Sequence, residues 1–344
     1  MSEHNETPLV TFVVPCYNSA SFMSRAVDSL LAADQPCEIL LVNDGSTDDT
    51  SRIAHEYEAR HASVRAIDQE NANWGGAVNH GLSLARGRYF KVLDSDDYLE
   101  PLALKRVLDT LAQLVEADDA PDLLITNYIY DHLPSKTRRP MRYRAFLPQH
   151  HTFGWDEMGK PLIDTYIMIH ACWYATATLR ASGVELPTKM PYTDSLLLLT
   201  PMPYVQKLYY LDVEPYFYAI GREGQSVDVE VVKKHHEEQL HVTRLAIDGV
   251  NYAELAAREP NCAELMLGYI ICMMSISTFN LFMIGTREAL AKNDALWAYL
   301  AERDPELSRR VRRSWVGLAN RRTAVGRFLA LRCYEIGQRI YKLA

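Results

Sequence analysis

A chain of 344 residues, 48% hydrophobic and 23% charged, has enough apolar content for a large core and is too apolar to be disordered. Its six cysteines (16, 37, 172, 262, 272 and 333) follow no CxxC or metal-ligand spacing, so no disulfide framework is implied and a reducing compartment is expected. The net charge of -8 is unevenly spread: residues 303–344 hold eleven Arg or Lys against three acids, +8, which leaves -16 on residues 1–302. The polar, acidic start Met1-Ser2-Glu3-His4-Asn5-Glu6 does not read as a secretory signal, and a cytoplasmic protein is expected.

In chain order, Leu9 to Val14 is a continuous β-branched and aromatic run stopped by Pro15, the pattern of a buried parallel strand. Phe22, Ala26, Val27, Leu30 and Leu31 then recur at helical spacing behind serines at 19 and 21 that are placed to cap. Glu38 to Asn43 reads as a second strand. It runs into Asp44-Gly45-Ser46-Thr47-Asp48, where Gly45 permits a tight turn and Thr47 or Asp48 caps the next helix. A short strand, Val64 to Ile67, precedes a glycine-rich helix from Gly75 to Ala85. The apolar run Tyr89 to Leu93 then ends in Asp94-Ser95-Asp96-Asp97. Alternating strands and helices over residues 1–117 predict a doubly wound α/β domain.

Ligands of such sheets bind beyond the carboxyl ends of the strands, and three polar clusters fall there: Pro15 to Asn18, Asp44 to Ser46, and Asp94 to Asp97. Tyr17 can stack on a base, Asp44 can accept from a base or ribose, and the last cluster can hold a divalent cation that bridges a diphosphate. The alternative for that last cluster is an acidic turn capping the helix that Pro101 begins. Neither GxGxxG after the first strand nor GxxxxGK[ST] occurs, so a dinucleotide cofactor and a P-loop triphosphate are not indicated.

Val13-Val14-Pro15-Cys16-Tyr17-Asn18, Val42-Asn43-Asp44-Gly45-Ser46-Thr47-Asp48-Asp49-Thr50, Gly76-Ala77-Val78-Asn79-His80-Gly81 and Leu93-Asp94-Ser95-Asp96-Asp97 together resemble glycosyltransferase family 2, with its GT-A fold. The resemblance is close over about the first 115 residues and looser to about 228. It implies inverting, metal-dependent transfer of a sugar from a nucleoside diphosphate sugar, usually UDP-linked. Pro15 and Tyr17 would line the nucleoside pocket, with Gly76, Asn79 and Ser95 among the nucleotide-sugar contacts. Asp44 would hold the base, Asp94 would reach the ribose or donor sugar, and Asp96 would bind Mn²⁺ or Mg²⁺, while Asp97 supports the loop. Many relatives carry Arg where this chain has Val78, so that positive contact to donor phosphate or base is either missing here or supplied by Lys91, His80 or Arg222, which leaves the donor's identity open.

Residues 118–228 are expected to form the acceptor half of a domain spanning 1–228. Asp122 to Tyr128 reads as a strand, followed by a basic loop from Asp131 to Gln149 placed to lie over the site. Tyr192-Thr193-Asp194 resembles the family's catalytic-base motif, so Asp194 would be the general base; on local sequence alone it reads as a helix cap. Tyr216 to Ser226 resembles the family's tyrosine-rich strand and flexible loop, with Arg222 set to close over the diphosphate or to be part of an ordinary linker. Trp74 and His170 to Trp173 are further acceptor-pocket candidates, each as readily a core residue.

From 229 to 344 the pattern turns helical. His235 to His241 reads as a solvated helix face. Leu265 to Ile284 is uncharged and long enough to span a bilayer, but its serines, threonine and asparagine favour a buried bundle helix or a homodimer interface. Regularly spaced arginines and apolar residues over 309–341 predict a basic amphipathic helix for an anionic membrane surface, on the inner face of the cell membrane. Nucleic acid is not expected, since no binding module accompanies the charge. The functional expectation is a non-processive glycosyltransferase acting on a glycan or lipid-linked acceptor, since the Gln-x-x-Arg-Trp motif of processive synthases is absent. The alternatives are a non-catalytic nucleotide-sugar-binding or scaffold protein and, more distantly, a metal-dependent phosphohydrolase.

Overall fold

The computed structural model describes residues 7–32, 36–160, 166–221 and 234–320. The chain divides into two compact units, Met1–Ile220 and Gly221–Ala344.

The first unit opens with β1 (Val10–Cys16), α1 (Met23–Leu31), β2 (Cys37–Asp44), α2 (Thr50–Arg60), β3 (Val64–Gln69), α3 (Asn73–Leu84) and β4 (Tyr89–Val92). β1 is parallel to both β2 and β4, and β3 is parallel to β2. Every residue of β1 is buried, as expected of a strand covered on both faces. Two glycines let α3 and its exit lie close against that strand. A Cβ on Gly81 would stand 2.5 Å from Val13 Cγ1, and one on Gly87 2.3 Å from the Thr11 amide nitrogen.

β5 (Tyr98–Leu99), α4 (Pro101–Glu116), β6 (Leu123–His132), β7 (Thr137–Met141), β8 (Thr152–Phe153), β9 (Cys172–Ala175), α5 (Thr176–Ala181), α6 (Asp194–Leu199) and β10 (Leu208–Ile220) follow. The sheet order is β3-β2-β1-β4-β9-β6-β10-β5. β9 inserts antiparallel between β4 and β6, and β10 runs parallel to β6 with a break in register between Leu211 and Tyr216. A purely parallel sheet is therefore extended by a mixed one. Much of the basic segment expected to lie over the site packs instead: β7 pairs with β6, and Tyr143, Phe146 and Leu147 are buried.

Two local expectations change. Neither Ser19 nor Ser21 caps α1, whose N-cap is Phe22 without a side-chain bond, because Ser19 is used elsewhere. The helix at Pro101 is capped by Glu100, whose carboxylate accepts from the Ala103 amide at 2.6 Å. The Asp94–Asp97 cluster is therefore free of that task.

The second unit contains helices His236–Asp248, Tyr252–Arg258, Pro260–Ile284, Arg287–Arg303, Pro305–Arg313 and Trp315–Ala319. The helix Pro260–Ile284 is long and apolar enough to cross a membrane, and 67% of its most apolar window is buried. Two of its polar interruptions are bonded inside the unit, Ser277 Oγ lying 2.9 Å from Thr243 Oγ1 and Thr278 Oγ1 accepting from Trp297 Nε1 at 3.1 Å, while Asn280 Nδ2 is buried without a hydrogen-bond partner. Gly285 ends the helix at φ 67°, in the left-handed region that favours glycine. His235 is bonded to Glu238, and Glu237 pairs with Lys292. Of the basic amphipathic segment, residues 321–341 lie outside the described residues.

Candidate active site

Three loops leave the carboxyl ends of β1, β2 and β4 and are tied to one another by small polar side chains. The Asn18 amide donates to Ser46 Oγ at 2.9 Å, and Asn18 Oδ1 accepts from the Thr47 amide at 2.9 Å. Asn18 itself sits at φ 48°, a conformation that asparagine tolerates better than most residues. Ser19 Oγ and Ser95 Oγ lie 2.8 Å apart, both buried, joining the loop after β1 to the acidic loop after β4. Pro15 is buried near the end of β1, while the Tyr17 side chain is 54% exposed and available for stacking.

Asp44 is almost fully buried at the end of β2. Its Oδ1 accepts from Gln69 Nε2 at 2.7 Å and from the Ala72 amide at 2.8 Å, which fastens the second loop to the entrance of α3. Gly76 packs within that helix, where a Cβ would meet Ala72 Cβ at 2.3 Å. Asn79 uses both ends of its amide on the Leu186 backbone, at 2.8 and 3.0 Å, and so anchors the segment leading to α6.

The four residues of the acidic turn are sorted by environment. Asp97 is fully buried and accepts from Tyr216 OH at 2.6 Å and the Ala219 amide at 2.7 Å. Burial, reinforced by the charges of Asp96 and Asp94, raises its carboxyl well above the usual range. Asp94 is half-buried: Oδ1 accepts from Trp74 Nε1 at 2.7 Å, and Oδ2 lies 3.7 Å from His170 Nε2. Asp96 is also half-buried, and its carbonyl accepts from Arg25 Nη2 at 2.8 Å. Arg25 lies over the Tyr98 ring, 4.5 Å from its centroid, which braces the turn from α1.

Asp194 is the first residue of α6 and makes no side-chain cap through Thr193. Burial raises its carboxyl pKa; the charge of His170 opposes this shift and that of Asp94 adds to it. Asp194 therefore stands within electrostatic reach of the acidic turn, although 97 residues separate it from Asp97.

Two residues shape this centre without having a local sequence signature. Lys91 is one of three candidates from the sequence for a contact to donor phosphate or base, but it is 1% exposed and its ammonium donates to the carbonyls of Ile169, His170 and Cys172. Burial draws its pKa down to about 7, against the raising effect of Cys172, Asp94 and Asp97. A charge inside an otherwise apolar strand has to find such partners, and this was the only clue available. His170 is buried in a short turn, Ile169–Ala171, stacked on Tyr218 with ring centroids 4.2 Å apart and edge-on to Tyr216 at 4.8 Å. His80 bonds Gln69 at 2.7 Å, and Arg222 lies outside the described residues.

Among the described residues, Asp94, Asp97 and His170 bring one potential ligand atom each within 4.8 Å of one another. Both Asp97 oxygens are already engaged, so this group is better described as a buried polar cluster, with Asp96 half-buried on the same turn.

Residues 11–157 match the family model for glycosyl transferase family 2. Over this segment the chain is similar to glycosyltransferase family 2. It is 45% identical over 103 residues to a chondroitin synthase of Escherichia coli, covering 30% of this chain and 15% of that protein. It is 35% identical over 136 residues to an uncharacterized glycosyltransferase of Mycoplasma pneumoniae, 38% of this chain and 42% of that protein. A hyaluronan synthase of Pasteurella multocida is 39% identical over 108 residues, 31% of this chain and 11% of its own length. The chain thus spans less than half of each of these relatives. Among solved structures, TarS of S. aureus, residues 1–349 with UDP-GlcNAc, superposes with a TM-score of 0.53 at 19% identity, covering 90% of this chain and 91% of that one. A longer TarS structure gives 0.56 at 18% identity, covering 89% and 55%. These likenesses show the fold, the mixed α/β GT-A arrangement that the motifs implied.

Proposed function

We propose that this chain transfers a sugar, with inversion, from a UDP-linked donor to a hydroxyl of a glycan or lipid-linked acceptor. Asp194 takes the proton from the acceptor hydroxyl as its oxygen attacks the anomeric carbon from the face opposite the nucleotide. Tyr17 and Pro15 border the nucleoside, Asp44 orders the loops around the base, and Asp94 reaches the ribose or donor sugar. The observation that carries the reading is that the turn Ile169–Ala171, whose His170 stands 3.7 Å from Asp94, packs against α6, the helix that Asp194 begins. The UDP-GlcNAc bound by TarS supports a UDP-linked donor, and the names of the chondroitin and hyaluronan synthases support a glycan product.

Asp96 would hold Mn²⁺ or Mg²⁺, since carboxylate oxygen is the kind of ligand these hard cations take. When bound, the cation would offset the charge of the departing diphosphate. The basic segment 309–341 is proposed to attach the protein to an anionic leaflet.

A panel of UDP- and GDP-sugars incubated with the full chain and Mn²⁺ tests the reading. Release of the nucleoside diphosphate above the protein-free rate, for one donor in preference to the rest, is expected. Metal-dependent binding without turnover of any donor, with or without added acceptor glycans, would instead favour a sugar-nucleotide-binding scaffold.

A further inference from the structure

His170 is a buried imidazole that lacks the bonds a buried imidazole normally makes. Its ring is only 5% exposed, enclosed by Tyr218, Tyr216 and Tyr128. Nε2 stands 3.7 Å from Asp94 Oδ2, too far for a hydrogen bond, and Nδ1 is buried with no partner. An unsatisfied buried polar atom costs about 1–3 kcal/mol. Phenylalanine would fill the same aromatic slot without that cost, so packing does not account for the nitrogens.

The acidic groups around the ring identify the task. Asp94 and Asp97 lie in the same cluster, and Asp194 feels the imidazole's charge. The His170 carbonyl also accepts from the Lys91 ammonium, which fixes the backbone of this turn to β4. The turn that carries the imidazole therefore packs against the helix that begins with the carboxylate expected to act as base, and the ring itself stands 3.7 Å from the carboxylate expected to touch the donor. Contacts of this kind are often long in an empty site and tighten when substrate is bound.

We propose that His170 is a positioning residue for sugar transfer, which sets Asp94 and Asp194 relative to each other in the loaded site through its ring nitrogens. The proposal rests on the sugar-transfer reading of that site. It assigns the imidazole to alignment of the reacting groups rather than to donor affinity. Its loss therefore appears in kcat and leaves KM for the nucleotide sugar nearly unchanged, because misalignment of about 1 Å at a reacting centre can cost on the order of 100-fold.

The experiment compares wild type, His170→Phe and His170→Gln as full chains, using the UDP- or GDP-sugar that wild type turns over. His170→Phe is expected to melt at or above the wild-type temperature, keep KM within about threefold and lose roughly 10- to 100-fold in kcat. His170→Gln, which restores an N–H near the Nε2 position, is expected to recover part of that loss. Wild-type kcat in His170→Phe overturns the proposal while leaving the transfer reading intact. A His170→Phe chain that fails to fold, or one whose loss lies in KM, places the imidazole's role in the fold or in donor binding and also overturns it. Absence of turnover by wild type with every donor overturns the transfer reading and this proposal together.

Discussion

The two halves of the first unit build the same rim by different means. In residues 7–117, loops after parallel strands are laced together by small side chains acting over short distances, as in Ser19 with Ser95 and Asn18 with Ser46. Where that half meets β9 and β10, the rim is backed by buried polar groups within an aromatic shell that join the two halves: Lys91 on three carbonyls of residues 169–172, Asp97 on Tyr216, and His170 against Tyr218. The first arrangement fixes loop shape and leaves Tyr17 and Asp96 accessible. The second sets the electrostatics in which Asp94 and Asp194 work. The proposed function assigns metal and nucleotide binding to the first half and the base to the second, and that separation can be tested by mutation.

The largest effect is expected on the chemistry side. Asp194→Asn should lower kcat by about 10²- to 10⁴-fold while leaving UDP affinity within a few-fold. Because burial raises the Asp194 carboxyl, its active, ionised form disappears as pH falls through that raised value. The acid limb of wild-type kcat should therefore lie above the ordinary carboxylate range, and a profile flat down to pH 4 would argue against Asp194 as the base. On the binding side, Gly87→Ala forces a methyl against the Thr11 backbone and should destabilise the unit by about 1–3 kcal/mol, read as a lower denaturant midpoint. The smallest effect is expected for Ser19→Ala. Loss of one buried hydroxyl contact should cost about 0.5–1.5 kcal/mol and weaken UDP binding more than it lowers kcat.

The contrast also explains what could be read from the sequence. The loops after β1, β2 and β4 each follow their own strand directly, so residue type and spacing were enough to locate Asp44, Asp94 and Asp96. The insertion of β9 between β4 and β6 pairs residues 47 to 86 positions apart, and no local periodicity encodes it. For the same reason the sequence leaves Lys91 among three candidates for a contact to donor phosphate or base, although the carbonyls it serves come from residues 169–172. Asp96 and Asp97 are neighbours of one chemical type. Tyr216 and Ala219, from the end of β10, make Asp97 internal and leave Asp96 at the rim. Asn79, counted among the nucleotide-sugar contacts, spends its amide on Leu186, a partner 107 positions away.

The division of labour is tested most directly by calorimetric titration of UDP, with and without Mn²⁺, into wild type, Asp96→Ala and Asp194→Asn. Mn²⁺ should tighten UDP binding to wild type and to Asp194→Asn equally and make no difference to Asp96→Ala. Metal-independent affinity in wild type, or loss of UDP binding in Asp194→Asn, would contradict the assignment of metal and nucleotide to one half of the rim and of the base to the other.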